Sequence, residues 1–159
     1  MNTTRRSFIR KSATLAVPII IPASARGAYG TVAPSNRTTM ATFGWGMQGP
    51  HNCFKLMDVP GVQMIAICDV DAQALDKAVH AINDRAKTSD CKGYKDYREV
   101  MARKDIDAIN LSLPDNWHAL VAIEAAKNGK DIWGEKPLAR TIVEQQAIVK
   151  AVTDANRVW

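Results

Sequence analysis

The stretch Gly44-Trp45-Gly46-Met47-Gln48-Gly49 decides the fold of this 159-residue chain. It is a G-x-G-x-x-G run between an apolar, strand-like segment, Thr39–Phe43, and a segment of helical character. A strand, such a turn and a helix in this order form the sequence context of a dinucleotide-binding unit. The first glycine permits a tight turn, the second lets the backbone approach a pyrophosphate, and the third lets the helix pack closely. A glycine turn without a ligand is the alternative for the run taken alone.

Asp69 lies twenty positions beyond the last glycine, at the end of the next apolar run. A carboxylate at this place accepts hydrogen bonds from the adenosine ribose hydroxyls. It would repel a 2′-phosphate, and no Arg or Lys follows it in residues 70–74. We therefore predict binding of NAD rather than NADP, with the pyrophosphate at the positive helix end. The residues predicted to contact it are Gly44, Gly46, Met47, Gln48, Gly49 and Asp69.

Residues 1–25 have the pattern of a twin-arginine export signal. Arg5-Arg6 precedes a moderately apolar stretch, Ala13–Pro22, and Ala23-Ser24-Ala25 supplies a small-x-small cleavage site. The apolar stretch is too short for a stable membrane span. We predict export to the periplasm or another extracytoplasmic compartment, by a route that carries folded proteins. A basic N-terminal arm is the alternative.

The signal also accounts for the positive charge of the chain. Four of its 21 basic residues lie within the first 25 positions, and the other 17 face 16 acidic residues. The remainder is almost neutral, which gives no reason to expect a nucleic acid or an anionic surface as partner.

The three cysteines are an odd number and lack metal-ligand spacing, so no metal site is predicted. Cys68 ends an apolar run and is expected to be a small buried residue. A Cys53–Cys91 disulfide is left open, since nothing in the sequence requires it.

Strand-like and helix-like segments alternate from residue 38 onward, after a polar linker at 26–37. Short apolar runs of this kind are typical of parallel strands buried on both faces. We predict an α/β fold, a Rossmann-type doubly wound parallel sheet with helices on both faces. The predicted strands are Thr39–Phe43, Val62–Cys68, Ala108–Leu113 and Asp131–Trp133, and the helices Gln48–Met57, Ala72–Ala86, Tyr97–Ala102, Asn116–Asn128 and Ile142–Ala155.

Several helix signals support these boundaries. An apolar stripe in the second helix comprises Leu75, Val79, Ile82 and Ala86, and Asp71 is its predicted N-cap. The last helix begins with the capping-box pattern of Thr141 and Glu144, and Gly129 is a predicted helix stop.

Arg157-Val158-Trp159 follows the last helix and resembles the start of another strand. We expect the sequence to be truncated there, so that the domain 38–159 ends at the start of its last strand.

Two further motifs follow the third and fourth predicted strands: Leu113-Pro114-Asp115-Asn116-Trp117-His118 and Glu135-Lys136-Pro137. Together with the glycine turn they resemble the N-terminal domain of the Gfo/Idh/MocA oxidoreductases. That family includes glucose–fructose oxidoreductase and inositol dehydrogenase, and many members carry twin-arginine signals. The resemblance extends from about residue 36 to the end, and it includes Cys68–Asp71, Tyr97–Glu99 and Lys104–Ala108.

The resemblance implies roles for the two motifs. Lys136 would contact the substrate hydroxyl and help its proton leave while hydride passes to the nicotinamide. Glu135 would orient the loop or the cofactor ribose. Pro114 and Asn116 would lie at the strand crossing where a doubly wound sheet binds ligands. His118 would line the cofactor cleft and is a candidate catalytic residue with Lys136. Taken alone, Lys136 reads as a surface lysine and His118 as a helix histidine bonded to a neighbour.

The chain departs from the family pattern at two places. Leu113 stands where the family usually has threonine, which removes a hydroxyl near the cofactor. The family's second α/β domain, with its Asp-x-x-x-His catalytic pair and most of the substrate site, has no counterpart in these 159 residues. We therefore expect them to be part of a longer protein.

The implied function is hydride transfer between nicotinamide and a secondary alcohol of a sugar or polyol. An exported NAD-dependent glycosidase on the same scaffold is one alternative, and a non-catalytic nucleotide-binding module is another. Enzyme activity is expected of a full-length protein and not of this stretch by itself. A homo-oligomer is possible at full length.

Overall fold

The computed structural model describes residues 32–159, so the predicted export signal and most of the predicted linker lie outside the described residues. A short 3-10 helix, Pro34–Asn36, falls in the last part of that linker. Strands and helices then alternate, in the order β1 Thr38–Phe43, α1 Gly49–Met57, β2 Val62–Cys68, α2 Ala72–Ala86, β3 Lys92–Tyr94, α3 Tyr97–Ala102, β4 Ala108–Leu111, α4 Asp115–Lys127, β5 Asp131–Gly134 and α5 Ile142–Asp154.

The five strands form one parallel sheet in the order β3-β2-β1-β4-β5. Strand β1 lies at the centre of the sheet. Strands β2 and β3 follow on one side of it, and the chain then crosses to the other side of β1, where β4 and β5 pair. This reversal places a crevice at the carboxyl ends of β1 and β4, where doubly wound sheets bind ligands. The predicted fold class is confirmed.

Helices cover both faces of the sheet. Cys53 of α1 and Ile82 of α2 pack with Met40 and Met64 on one face. On the other face, side chains of α3, α4 and α5 pack against Phe43 of β1. The buried residues on that second face include Ile65, Val100, Met101, Ile109, Leu111, Val121 and Ile148.

The predicted caps are present. The Asp71 carboxylate accepts from the amides of Gln73 and Ala74 at 2.8 and 3.1 Å. Thr141 and Glu144 form the capping box, and Gly129 adopts φ +74° immediately after α4.

The predicted stripe on α2 is wrong at one position. Leu75 and Ile82 are buried and Val79 is half-buried, but Ala86 is exposed. Ala86 lies in the last turn of the helix, immediately before the left-handed Lys87. Ala78 completes the buried face instead.

Two strand predictions need correction. Strand β3, which pairs with β2, was not predicted because its three residues, Lys-Gly-Tyr, form no apolar run. Strand β4 ends at Leu111 rather than Leu113. Beyond its end the Ser112 amide still donates to the Phe43 carbonyl, and Pro114 then takes the N-cap position of α4.

The three cysteines are free thiols in this structure and all are buried. Burial raises the pKa of each thiol to about 12, so all three stay protonated at neutral pH. The expectation that Cys68 is buried is confirmed. The open possibility of a Cys53–Cys91 disulfide is not realised here.

Residues 157–159 lie along the outer edge of β5. The Ile132 amide donates to the Val158 carbonyl at 2.8 Å, and the Val158 amide donates to Asp131 Oδ1 at 2.8 Å. The Trp159 ring fills the space that a side chain at Gly134 would need. The predicted extra strand would occupy this edge of the sheet.

Within residues 32–159, no helix has the length and apolar character needed to cross a membrane.

Candidate functional site

The glycine turn connects the end of β1 to α1, and two of its glycines are required by close packing. Gly44 has φ +90°, and a Cβ there would overlap the Ser112 carbonyl oxygen. A Cβ at Gly49 would overlap the Gly44 carbonyl oxygen. The turn therefore lies against both the β4 loop and the first turn of α1.

Gly46 differs from the other two glycines, because a Cβ at this position would meet no atom within 4 Å. Gly46 lines a cavity of about 620 Å³ at the carboxyl ends of β1, β2 and β4. The helix α1 starts beside it with Gln48 as N-cap, and the Gln48 side chain makes no capping hydrogen bond. The first N–H groups of a helix have no acceptor within it and carry partial positive charge. Backbone and helix end together present an open, positive surface of the kind that holds a pyrophosphate.

The other residues of the turn point elsewhere. Met47 is 97% exposed, so its side chain extends into solvent. The Trp45 ring packs edge-on against Phe54 of α1 with ring centroids 5.7 Å apart. A bulky residue is therefore accommodated in the turn without entering the cavity.

Asp69 anchors the turn. One carboxylate oxygen accepts from the Trp45 amide at 2.7 Å, and the other accepts from the Asp71 amide at 2.9 Å. Each oxygen retains a second lone pair for another donor, and Asp69 also lines the cavity. The spacing of residues predicts the ribose contact of Asp69, but it does not reveal the contact with the turn.

The cavity is lined by an apolar group of residues and by a charged group, which we call its rim. Its apolar lining comprises Phe43, Val70, Tyr97, Leu113, Pro114, Trp117 and Val121. The charged groups of the rim are Asp69, Lys95, Asp96, Arg98 and Glu99. An apolar slot with a few polar groups suits a flat heteroaromatic ring bearing a polar sugar.

Lys95 and Arg98 are two cations in the same cavity as Asp69 that are not apparent from the residues following Asp69 in the sequence, 70–74. The unpredicted strand β3 brings residues 95–99 to this cavity.

Glu135 lies just beyond β5 and contacts α1. Its Oε1 accepts from Asn52 Nδ2 at 3.0 Å, and its Oε2 accepts from the Lys136 amide at 3.2 Å. The hydrogen bond from Asn52 contributes most to holding the pKa of Glu135 below its ordinary value. The bonds from the Lys136 amide and from the Gln48 side chain act in the same direction. Glu135 is therefore a carboxylate at neutral pH and is tied to α1.

Asn52 continues a chain of hydrogen bonds into the core. Asn52 Nδ2 also donates to Ser112 Oγ at 3.1 Å, and Ser112 Oγ donates to Asn110 Oδ1 at 3.1 Å. Asn110 Nδ2 then donates to Thr42 Oγ1 at 2.6 Å. Asn52, Asn110 and Thr42 are buried, so this polar chain joins α1, β4 and β1 beneath the turn.

His118 is buried in α4 with 1% exposure. Its Nδ1 lies 2.8 Å from the Pro137 carbonyl oxygen, and its Nε2 lies 2.8 Å from the Leu113 carbonyl oxygen. The ring therefore joins the loop after β4 to the loop that contains Lys136. This arrangement agrees with the interpretation of His118 as a helix histidine bonded to its neighbours.

Lys136 itself is exposed and is followed by a cis peptide bond to Pro137. Within residues 32–159 its Nζ makes no hydrogen bond or ion pair with the protein. Asn116 is exposed in the first turn of α4 and does not line the cavity, whereas Pro114 does. Across the described part of the chain, no three His, Cys, Asp or Glu side chains are grouped as metal ligands.

A family model described as an oxidoreductase family with an NAD-binding Rossmann fold matches residues 39–159. The chain belongs to the Gfo/Idh/MocA oxidoreductase family. Residues 39–159 are thus the NAD(P)-binding Rossmann domain of that family.

One curated relative is the alpha-N-acetylgalactosaminidase of Shewanella oneidensis, which is 34% identical over 132 residues. The match covers 80% of this Gfo/Idh/MocA chain and 29% of the relative. The chain thus spans about three tenths of the length of the curated relatives it matches.

Solved structures share the fold. The WlbA dehydrogenase of Bordetella pertussis, in complex with NADH and UDP-GlcNAcA, superposes with a TM-score of 0.67 at 24% identity. That match covers 77% of this chain and 34% of the dehydrogenase. A 3-ketoreductase of Actinomadura kijaniata in complex with NADP gives a TM-score of 0.66 at 19% identity, covering 77% and 36% of the two chains. Both likenesses establish the fold alone.

Proposed function

We propose that residues 38–159 bind NAD for an exported oxidoreductase that acts on a sugar or polyol. The observation that carries the proposal is the open space at Gly46, beside the uncapped start of α1 and in the same cavity as Asp69. The residues present fit the cofactor, since a backbone cradle without side chains suits a pyrophosphate and a carboxylate suits a ribose.

The residues proposed to hold NAD surround that cradle. Gly44, Gly46 and Gly49 shape it, and the amides of residues 47–49, which lead into α1, face the pyrophosphate. Asp69 accepts from the ribose, and Pro114 forms part of the apolar wall. Bound NAD supplies a hydride acceptor for a secondary alcohol. The Asp69 carboxylate favours NAD over NADP because it would face a 2′-phosphate of like charge.

Lys136 is proposed to hold the substrate hydroxyl and, in its neutral amine form, to accept the hydroxyl proton as the hydride leaves to NAD. Its side-chain nitrogen is free to reach a ligand, while its backbone amide is fixed by Glu135 and the neighbouring Pro137 carbonyl is fixed by His118. His118 is buried with both ring nitrogens engaged, so we assign it to positioning Lys136. Glu135 is also assigned to positioning Lys136, because its carboxylate accepts from the Lys136 amide.

A glycosidase that uses the same hydride step is the second candidate. The relative from Shewanella oneidensis, named an alpha-N-acetylgalactosaminidase, favours it. Product analysis of a full-length protein separates the two. An oxidised sugar with NADH supports the dehydrogenase, and a released monosaccharide without net NADH supports the glycosidase.

We propose export through residues 1–25 as the localisation. A reporter protein fused to these residues should reach the periplasm, and replacing Arg5 and Arg6 with lysine should retain it in the cytoplasm. Export of the variant at the unmodified level would contradict the twin-arginine route.

The test of the cofactor site uses two neighbouring residues of the glycine turn. Gly46→Val places a side chain in the open space of the cavity, so calorimetric titration should show NAD affinity reduced by a factor of ten or more, roughly 1.4 kcal/mol. The matched control is Met47→Val, because the Met47 side chain points into solvent. It should retain NAD affinity within about twofold. Equal NAD affinities for the two variants and the unmodified chain would overturn the proposed site.

A further inference from the structure

The charged rim of the cavity carries an excess of negative charge. Three carboxylates and two cations line it within the described part of the chain. Asp69 directly follows β2. The other four residues of the rim lie in the loop after β3, Lys95 and Asp96, and in the first turn of α3, Arg98 and Glu99. If NAD binds as proposed, the ribose held by Asp69 lies next to these charges.

Arg98, one of the two rim cations, forms an ion pair with Asp96. Both Asp96 oxygens lie 3.2 Å from Arg98 Nη1, and Asp96 Oδ1 accepts from the Arg98 amide at 2.9 Å. The Arg98 guanidinium is also placed over the Tyr97 ring, 4.8 Å from its centroid. The hydrogen bond from the Arg98 amide, together with the guanidinium, holds the pKa of Asp96 below its ordinary value. Asp96 is thus ionised at neutral pH and compensates the charge of Arg98.

An uncompensated arginine at this rim would favour a phosphate. The 2′-phosphate that distinguishes NADP from NAD carries a charge of about −1.5 to −2 at neutral pH. Guanidinium is the side-chain group best suited to bind phosphate, through paired hydrogen bonds. The pairing seen here directs those donors to Asp96 instead.

We propose that Asp96 is a second residue, besides Asp69, that makes this site select NAD over NADP, by holding Arg98 in an ion pair. The inference rests on the proposed NAD site and names a residue that the glycine motif does not contain. Replacing Asp96 by Asn leaves two carboxylates and two cations on the rim and frees the guanidinium. Asn is as good an N-cap as Asp, so the start of α3 is preserved.

The test is calorimetric titration of the full chain with NAD and with NADP. In Asp96→Asn the affinity for NADP relative to NAD should rise by roughly threefold to tenfold, as expected for one exposed charge near a phosphate. The rise should shrink in 0.5 M salt because the charges are exposed. Adding Arg98→Gln to this variant should return the NADP-to-NAD ratio to within about twofold of its original value.

A matched control is available on the other side of the sheet. Arg85 likewise lies over an aromatic ring, Phe54, and pairs with Asp58, but none of the three lines the cavity. Asp58→Asn frees this arginine and should leave the ratio unchanged.

The outcomes separate the inference from the proposed function. A ratio unchanged in Asp96→Asn, while NAD still binds, overturns the role of Asp96. Equal losses of both affinities also overturn it, since they indicate a structural role alone. If the unmodified chain binds neither nucleotide, the proposed NAD site itself is overturned, and this inference with it.

Discussion

Asp69 binds two backbone amides of its own chain, at Trp45 and Asp71, with one carboxylate oxygen each. The side chain therefore shapes the glycine turn as well as presenting lone pairs to the cavity. A substitution at Asp69 tests both tasks together, so affinity and stability have to be measured side by side.

Asp69→Ala should lower NAD affinity by about tenfold or more, because the turn loses its anchor and the ribose loses an acceptor. The same variant should lose about 1–2 kcal/mol of unfolding free energy, because the Trp45 and Asp71 amides lose their acceptor. Denaturant titration measures the stability and calorimetry the affinity. A loss of stability with unchanged NAD affinity would agree with the turn contact of Asp69 and would contradict its role toward the ribose.

His118 illustrates a different residue-scale effect, in which one buried ring lies between two carbonyl groups. His118→Leu should destabilise the chain by about 1–3 kcal/mol, because the carbonyl that accepts the ring N–H loses its donor. The exposed His80 provides the control, and His80→Leu should change stability by less than about 0.5 kcal/mol. Similar values for the two variants in chemical denaturation would contradict the bridging role.

At the scale of elements, the regular segments were predictable because their hydrophobic pattern is strong. The bounds of β2, α2 and α3 follow from apolar runs, periodicity and caps. Strand β3 was missed because a three-residue edge strand has no pattern of its own, and its position comes from pairing with β2. The two cations near Asp69 were missed for the same reason.

The polar chain from Glu135 to Thr42 was not predictable from spacing. Its members belong to different elements, which meet only once the sheet is assembled. One signal was present, since Thr42 and Asn110 interrupt the apolar runs of residues 40–43 and 108–111. Polar groups in strands buried on both faces require hydrogen-bond partners. The sequence could therefore indicate that partners exist, but not which ones.

The link between α1 and β5 predicts a pH effect. Asn52→Ala should raise the pKa of Glu135 toward its ordinary value, because the main hydrogen bond to the carboxylate is lost. A lowered folded-state pKa stabilises the fold above the unfolded-state pKa, and this stabilisation is lost as pH falls through the folded-state value. The variant should thus lose less stability on acidification.

Carbon-detected NMR titration of the Glu135 carboxyl measures this shift directly. Asn83→Ala is the control, because Asn83 also makes two hydrogen bonds, both to Cys91 and neither to Glu135. It should leave the Glu135 midpoint in place. A midpoint that is unchanged in Asn52→Ala would contradict the proposed coupling.

At the scale of the whole molecule, the sheet brings the candidate residues to its carboxyl end in two groups. Gly44, Gly46, Asp69 and Pro114 line one cavity. Glu135, Lys136 and His118 are held beside the glycine turn, by Asn52 and by the backbone of two loops. The described chain thus provides the proposed cofactor side of a reaction, and the substrate side is proposed to lie in a longer protein.

The most direct measurement is an amide NMR map of the chain titrated with NAD. The proposed NAD site predicts that the largest chemical-shift changes occur at Gly44–Gly49 and Asp69, with smaller ones at Glu135 and Lys136. The opposite end of the sheet carries a second cavity, of about 530 Å³, bordered by Thr39, Gln63 and Arg103, and its amide signals should not change. Changes concentrated there, or none at the glycine turn at saturating NAD, would contradict the proposed site.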